Sequence, residues 1–338
     1  MLGFKTLALP KNKNWGFSFN IARFRHDVAH STSPLQRSYL YVPTSSDRML
    51  EKSLTSSSDV IIYDLEDSVP PSPAAKADAR QRLATFMKTR ASELPDPSRI
   101  AVRLNSVHTG FFQEDVKLTA SIPHISTFVL PKVHSTKDLD TVSNELSQST
   151  RPVNFVASIE SALSYYNLPS IASWKSNSGA NGGLLSALLF AAEDFCADTS
   201  IIRTPSRREL LHVRSEIVLM AKAFRLQAID MVCVNYKDLD YLKQECQDGR
   251  ELGFTGKQAI HPNQVDIIQS TFVPTPKEIL RAARIVHSMK KAHASNRGAI
   301  GLQTGGIDEM IDEPMIKQAQ NTIRMAERAG LEIPEITD

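Results

Sequence analysis

The chain has few cysteines, no long apolar run and no excess of one charge. Cys196, Cys233 and Cys246 share no close spacing, which excludes a disulfide framework and a cysteine-based zinc site. No segment approaches the roughly 18–20 consecutive apolar residues of a membrane-spanning helix. Lys plus Arg is 39 against 37 for Asp plus Glu, so there is no electrostatic case for nucleic-acid binding. No Gly-rich dinucleotide fingerprint follows any of the first apolar runs, and neither an internal repeat nor a low-complexity segment is present. What remains is a 338-residue chain of globular composition, 41% hydrophobic and 22% charged, with ample material for a core.

The charge is unevenly spread. Residues 1–37 carry Lys5, Lys11, Lys13, Arg23, Arg25 and Arg37 against Asp27 alone, with Phe4, Trp15, Phe17, Phe19, Ile21 and Phe24 among hydroxyl-bearing residues. A basic, acid-poor start of this kind reads as an organelle transit peptide, here mitochondrial (matrix) and removed before Ser38. The plainer alternative is a disordered basic tail carrying no address. The last three residues, Ile336-Thr337-Asp338, are not a peroxisomal signal.

From Ser38 onward, short apolar runs alternate with helix-compatible stretches. The runs are Tyr39–Val42, Val60–Leu65, Ile100–Leu104, Thr127–Pro131, Val153–Ile159, Ala187–Ala192, Ala228–Val234 and Gly256–Ile260. Several are apolar throughout, as strands buried on both faces are. The clearest helical stretches are Pro73–Arg90, Ser135–Gln148, Pro205–Phe224 and Asp238–Leu252. In the third, Leu210, Val213, Ile217 and Ala221 recur at helical spacing. Eight such units predict an α/β fold, a (β/α)8 TIM barrel over residues 38–275, in preference to an open doubly wound sheet. Residues 276–338 then form a C-terminal helical extension. Pro276–Ala294 and Pro314–Ala329 read as helices, and Arg297–Gly306 as a Gly-rich connector.

Catalytic groups in such a barrel sit where strands end. Those ends carry Tyr41; Asp64, Glu66 and Asp67; Arg103 and Asn105; Lys132; Glu160; Glu193 and Asp194; Asn235; Lys257 and His261. Glu160 and Asp194 follow neighbouring strands, and two carboxylates completed by water and a substrate oxygen suit Mg2+. The plainer alternative makes them helix caps or partners of lysines. Arg103 suits a carboxylate or a developing enolate oxygen, or a salt bridge to Glu66 or Asp67, and both can hold at once. His261-Pro262-Asn263 also reads as a helix start capped by Asn263. Arg48 and Lys52 are four apart, so they share a helix face that would take a phosphorylated ligand or simply meet solvent.

A set of strings carries a resemblance. They are Leu40-Tyr41-Val42-Pro43, Asp64-Leu65-Glu66-Asp67, Val102-Arg103-Leu104-Asn105, Leu130-Pro131-Lys132, Phe190 to Phe195, and Gly253-Phe254-Thr255-Gly256-Lys257-Gln258-Ala259-Ile260-His261-Pro262-Asn263-Gln264. Together they resemble the citrate lyase beta-subunit family (HpcH/HpaI aldolase/citrate lyase). Ile311-Asp312-Glu313-Pro314 and Lys317-Gln318-Ala319-Gln320-Asn321-Thr322 are similar to its mitochondrial branch.

The resemblance implies an enzyme, a Mg2+-dependent TIM-barrel lyase acting on acyl-CoA hydroxy acids, commonly a homotrimer. In the mitochondrial branch it implies cleavage of citramalyl-CoA to acetyl-CoA and pyruvate. Carried onto this chain, it puts metal ligands on Glu160 and Asp194 and the enolate-stabilising arginine on Arg103. CoA-thioester contacts fall on Tyr41, Arg48, Lys52, Ile260 and His261. The catalytic aspartate falls on Asp312, in a segment able to complete a neighbouring subunit's site. Without the resemblance, Asp312 reads as an N-cap for the helix near Pro314. Two departures stand out. Pro43-Thr44-Ser45-Ser46 replaces the family's frequent Pro-Gly-Asn. Ala191-Ala192 replaces its frequent Gly-Gly, and the added methyls narrow the pocket for the substrate acid. Alternative activities on the same site are a malate or methylmalate synthase and a malyl-CoA thioesterase. An alternative of another class is a non-catalytic CoA-binding or assembly subunit.

Overall fold

A computed structural model of the chain describes residues 35–147, 151–294, 300–304 and 307–336, all within the unit Pro34–Asp338. The expected leader falls almost wholly outside the described residues. Its last three residues, Leu35, Gln36 and Arg37, do not. Arg37 Nε and Nη2 bind the Asp59 carboxylate at 2.9 and 3.0 Å, and the Arg37 carbonyl accepts from the Lys257 N–H at 2.7 Å. Gly256 permits this approach, since a Cβ there would lie 2.4 Å from the Arg37 carbonyl oxygen. Arg37 is thus held against the barrel wall just ahead of Ser38.

Eight parallel strands close the barrel in sequence order: β1 (Ser38–Pro43), β2 (Val60–Asp64), β3 (Ile100–Arg103), β4 (Thr127–Leu130), β5 (Asn154–Ile159), β6 (Leu184–Phe190), β7 (Gln227–Asp230) and β8 (Gly256–Ala259). The helices around them are α1 (Asp47–Ser53), α2 (Pro73–Thr89), α3 (Phe112–Ala120), α4 (Thr136–Leu146), α5 (Ala162–Tyr166), α6 (Leu168–Ala172), α7 (Ala192–Thr199), α8 (Leu211–Ala223), α9 (Leu239–Leu252) and α10 (Val265–Thr271). Side-chain caps fix several starts. Ser72 accepts from the Ala75 N–H, Ser135 forms a capping box with Asp138, and Asp238 accepts from the Tyr241 N–H. The expected helix from Pro205 begins later, after a 3-10 turn at Arg208–Leu210.

Strand residues point alternately into the barrel and out toward the helices. Tyr39, Val60, Ile62, Ala101, Val129, Val156, Ala187, Leu189 and Ile229 fill the interior. Their neighbours, such as Leu40, Ile61, Val102, Phe128 and Leu188, form the larger core under the helices. Continuing the same alternation to the strand ends sends Tyr41, Asp64, Arg103, Glu160 and Gln258 inward at the mouth. It sends Asp230 and Lys257 outward.

The extension holds α11 (Pro276–Ala294), β9 (Ile300–Thr304), β10 (Ile307–Ile311) and α12 (Glu313–Arg328). The expected connector is thus corrected to an antiparallel strand pair, with Thr304 opposite Ile307. Alternating apolar residues on either side of Gly305-Gly306 are a hairpin signal, here outweighed by the glycine content. Ala282, Ile285, Met289, Ile311, Ile316 and Ala319 give the extension a core of its own.

Candidate active site

The mouth holds a cavity of about 370 Å³ lined by Tyr41, Asp64, Asp67, Arg103, Glu160 and Asp194, with Ser158, Ala191, Ala192, Glu193, Val232, Gln258 and Ile260 completing the wall. Two outer grooves are larger, about 440 Å³ at α1 and α2 and about 850 Å³ along α10, α11 and the C-terminal residues. Neither lining set includes Arg103, Glu160 or Asp194, whereas the mouth joins buried charges whose proton affinities are perturbed.

Arg103 organises one side. Its Nε and Nη2 grip the two oxygens of Asp64 at 2.7 Å each. Its Nη1 reaches Glu66 Oε2 at 2.9 Å and Asp67 Oδ2 at 3.2 Å. The guanidinium lies over the Tyr41 ring, 4.7 Å from its centroid. The hydrogen bonds to Asp64 and Asp67 engage three of its five N–H donors, and the Glu66 contact is an ion pair. Burial pushes the Asp64 carboxyl up, yet Arg103 and the hydrogen bonds around it hold the group below the usual carboxylate range. Tyr41 donates its hydroxyl to Gln258 Oε1 at 3.0 Å, and Gln258 is anchored to the Phe190 and Asp230 carbonyls.

Glu160 is different. It is 5% exposed and just beyond β5. Burial, then the charges of Glu66 and Asp194, push its carboxyl up to about 8, against a hydrogen bond from Ser158 and the pull of Arg103. Asp194 sits in the first turn of α7 rather than at the strand end. Six carboxylates (Asp64, Glu66, Asp67, Glu160, Glu193, Asp194) thus meet three cations (Arg103, Lys132, Arg203). A dication fits that surplus. Among the described residues no group of three His, Cys, Asp or Glu side chains is arranged to hold an ion. An ion at Glu160 and Asp194 would therefore complete its shell with water and substrate oxygens, the habit of Mg2+.

The other expected residues are spread out. Ile260 lines the cavity and is 42% exposed. His261 does not line it. It caps the 3-10 turn Pro262–Gln264, accepting from the Asn263 N–H at 3.2 Å, and stacks on Tyr236 with ring centroids 5.1 Å apart. The cap is therefore His261, not Asn263. Arg48 and Lys52 are exposed on α1 outside the cavity lining. Asp312 is also exposed and outside it. It caps α12, accepting from the Met315 N–H at 3.3 Å.

A second charged cluster lies behind the wall and was only partly visible beforehand. Lys257 Nζ contacts Glu245 at 3.2 Å, Asp230 at 3.8 Å and the Met231 carbonyl at 2.7 Å. Arg214 holds Asp230 through two contacts and Asp248 through a third. Arg203 joins Glu245 to Glu193 of the mouth and donates to the Val232 carbonyl. Lys257 stood among the strand-end candidates, and its parity was the available signal that it faces away from the site.

Comparison with known proteins agrees with this fold. Residues 37–262 match the HpcH/HpaI aldolase/citrate lyase family. The chain belongs to that family. It is a carbon–carbon lyase by that membership. It is 33% identical over 299 residues to the human mitochondrial citramalyl-CoA lyase, covering 86% of this chain and 85% of that one. It is 31% identical over 300 residues to a (3S)-malyl-CoA thioesterase of Cereibacter sphaeroides, covering 89% and 97%. A crystal structure of CitE from Mycobacterium tuberculosis with magnesium, acetoacetate and coenzyme A superposes with a TM-score of 0.68 at 27% identity, over 88% of this chain and 98% of that one.

Proposed function

We propose that this member of the family is a mitochondrial, Mg2+-dependent citramalyl-CoA lyase that yields acetyl-CoA and pyruvate. The observation carrying the proposal is the meeting of Arg103 with Glu160 and Asp194 in one cavity. The similarity to a citramalyl-CoA lyase and to a magnesium- and CoA-bound relative supports it.

Glu160 and Asp194 would hold the ion, which when bound lowers the pKa of the substrate hydroxyl and stabilises the nascent keto acid. Arg103 meets the thioester oxygen as it gains enolate charge when the C–C bond breaks. The N–H groups that make no hydrogen bond to its acids, or the one held by exposed Asp67, are the donors available. The hydroxyl proton leaves to water; Asp312, as the acid, gives the enolate carbon a proton and, as the carboxylate, removes it in the synthetic direction. Tyr41 and Ile260 border the thioester, and Arg48, Lys52 and His261 bind the rest of CoA outside the cavity.

Asp312 reaches the mouth from a neighbouring subunit of a homotrimer. Leu163, Tyr166, Ile202 and Val234 are exposed on segments following β5 to β7, and Met310 is 76% exposed beside Asp312. Apolar surface on both the rim and the arm supports their meeting. Residues 1–37 hold the transit peptide, removed before Ser38.

A coupled assay of citramalyl-, malyl- and methylmalyl-CoA, with and without EDTA, tests the proposal. Cleavage of citramalyl-CoA that stops with EDTA is expected, and metal-independent turnover refutes the assignment. The similarity to a thioesterase supports a second reading, in which free CoA accumulates from malyl-CoA without acetyl-CoA.

A further inference from the structure

Among the described residues, four non-glycine residues adopt a left-handed backbone: Lys132, Ser200, Arg207 and Arg225. Ser200 ends α7, Arg207 precedes a 3-10 turn and Arg225 follows the end of α8. Residues just past a helix routinely adopt this backbone, as Ser200 and Arg225 do, and Arg207 closes a turn by donating its N–H to the Thr204 carbonyl at 3.1 Å. Lys132 has no such explanation. It lies two residues beyond β4, after Pro131, with φ 52°. Held in that turn, its ammonium spans 66 positions of sequence to Glu66 Oε1 at 3.0 Å. Sustained backbone strain beside a reaction centre points to a task for the side chain.

Glu66 has one cation on each oxygen, Lys132 on Oε1 and Arg103 on Oε2. Its carboxylate is nearly buried, 8% exposed. Its backbone is fixed independently. The N–H donates to Asp64 Oδ1 at 2.9 Å, and the carbonyl accepts from Lys76 Nζ at 2.7 Å. Removing the Lys132 charge would therefore free the Glu66 side chain without releasing its loop. Arg103 would then keep Asp64 but lose the fixed partner at Nη1, the edge it shares with exposed Asp67.

We infer that Lys132 is a positioning residue, holding Glu66 so that Glu66 sets the edge of Arg103 that meets the substrate. The inference rests on the proposed role of Arg103. Outer partners that orient metal-binding groups commonly cost about 10- to 100-fold in activity when removed, and a loss on that scale is expected here.

The test uses Lys132→Met, Lys132→Gly and Lys132→Arg in the full chain, assayed with citramalyl-CoA at saturating Mg2+. Lys132→Met is expected to lower kcat by about 10- to 100-fold with KM within about twofold. Lys132→Arg recovers most of it. Lys132→Gly relieves the backbone strain, so its Tm stays at or above the parent value while kcat falls as in Lys132→Met. Parent kcat in Lys132→Met, or a kcat loss matched by a fall in Tm in Lys132→Gly, overturns the inference. A change in KM alone overturns it too, because it makes Lys132 a substrate contact. A crystal structure of Lys132→Met gives a readout without turnover. Glu66 turned from Arg103 supports the inference, and the contact retained at 2.9 Å overturns it. If Arg103→Lys keeps full activity, the reading of Arg103 fails instead, and the Lys132→Met crystal still reports on Glu66.

Discussion

The cluster around Arg103 and the cluster around Lys257 are both built at strand ends of one barrel, but they face opposite sides of its wall. In the outer cluster each buried charge has opposite charges against it. Burial alone would lower Lys257, yet Glu245 and Asp230 raise it. Burial alone would raise Glu245, yet Lys257 and Arg203 lower it. Both are thereby held in their charged forms, as a structural network requires. In the inner cluster that balance fails at Glu160, which burial and its acidic neighbours hold toward the neutral acid. Matched charge fixes the barrel wall; unmatched charge marks where something else must bind.

Breaking each cluster should give opposite phenotypes. Glu160→Gln is expected to lower lyase turnover by about 1000-fold or more, through loss of the ion's hold, while leaving urea unfolding unchanged or improved. Asp230→Ala is expected to cost about 3–5 kcal/mol in the same urea titration, because Arg214 and Lys257 lose a buried partner. A stable Asp230→Ala protein, or an unfolded Glu160→Gln protein, would erase the distinction.

Asp312 belongs to neither cluster and sharpens the contrast. Asn caps helices as well as Asp does, so Asp312→Asn should keep the fold and the affinity for a CoA thioester while lowering kcat by about 100-fold. Equal loss of binding and rate would reduce Asp312 to its capping role. Mixing Asp312→Asn with Glu160→Gln protein should restore activity if arms are shared between subunits, and leave both inactive if they are not.

The smallest effect concerns protons. An isolated Glu carboxyl titrates near 4.5, and Glu160 near 8 without an ion. Between those values the folded chain holds a proton that the unfolded chain has lost, so metal-free stability falls as pH rises through that window. Mg2+ must displace the same proton. Its affinity should rise by up to about tenfold per pH unit until about pH 8 and then level off. Calorimetry in buffers of different ionisation enthalpy should register about one proton released per ion at pH 7. Zero release would mean Glu160 is already ionised.

Much of the barrel could be read from the chain. Runs such as Val60–Leu65 are apolar on both faces, and their spacing admits few other architectures. The site was legible where strand alternation and strand ends coincide, as at Arg103 and Glu160. It was less legible where contacts depend on loop geometry. Nothing local in Leu130-Pro131-Lys132 announces a left-handed lysine reaching Glu66. Asp64 was a visible candidate, but its two-pronged grip on Arg103 depends on β2 and β3 pairing in the register that sets Asp64 beside Arg103. The β9–β10 pair was hidden because its strands are short and the glycines in and between them read as a connector, which outweighed the hairpin signal of the alternating apolar residues.

Arg103 is already restrained, with carboxylates along its edges and an aromatic ring beneath. It cannot swing out to greet a ligand and fold back, as a lone surface arginine does. A tight inhibitor of this protein should accordingly be shaped to the guanidinium where it stands. A flat oxyanion offered edge-on to its spare donor suits that geometry better than a bulky acid that needs the side chain to move.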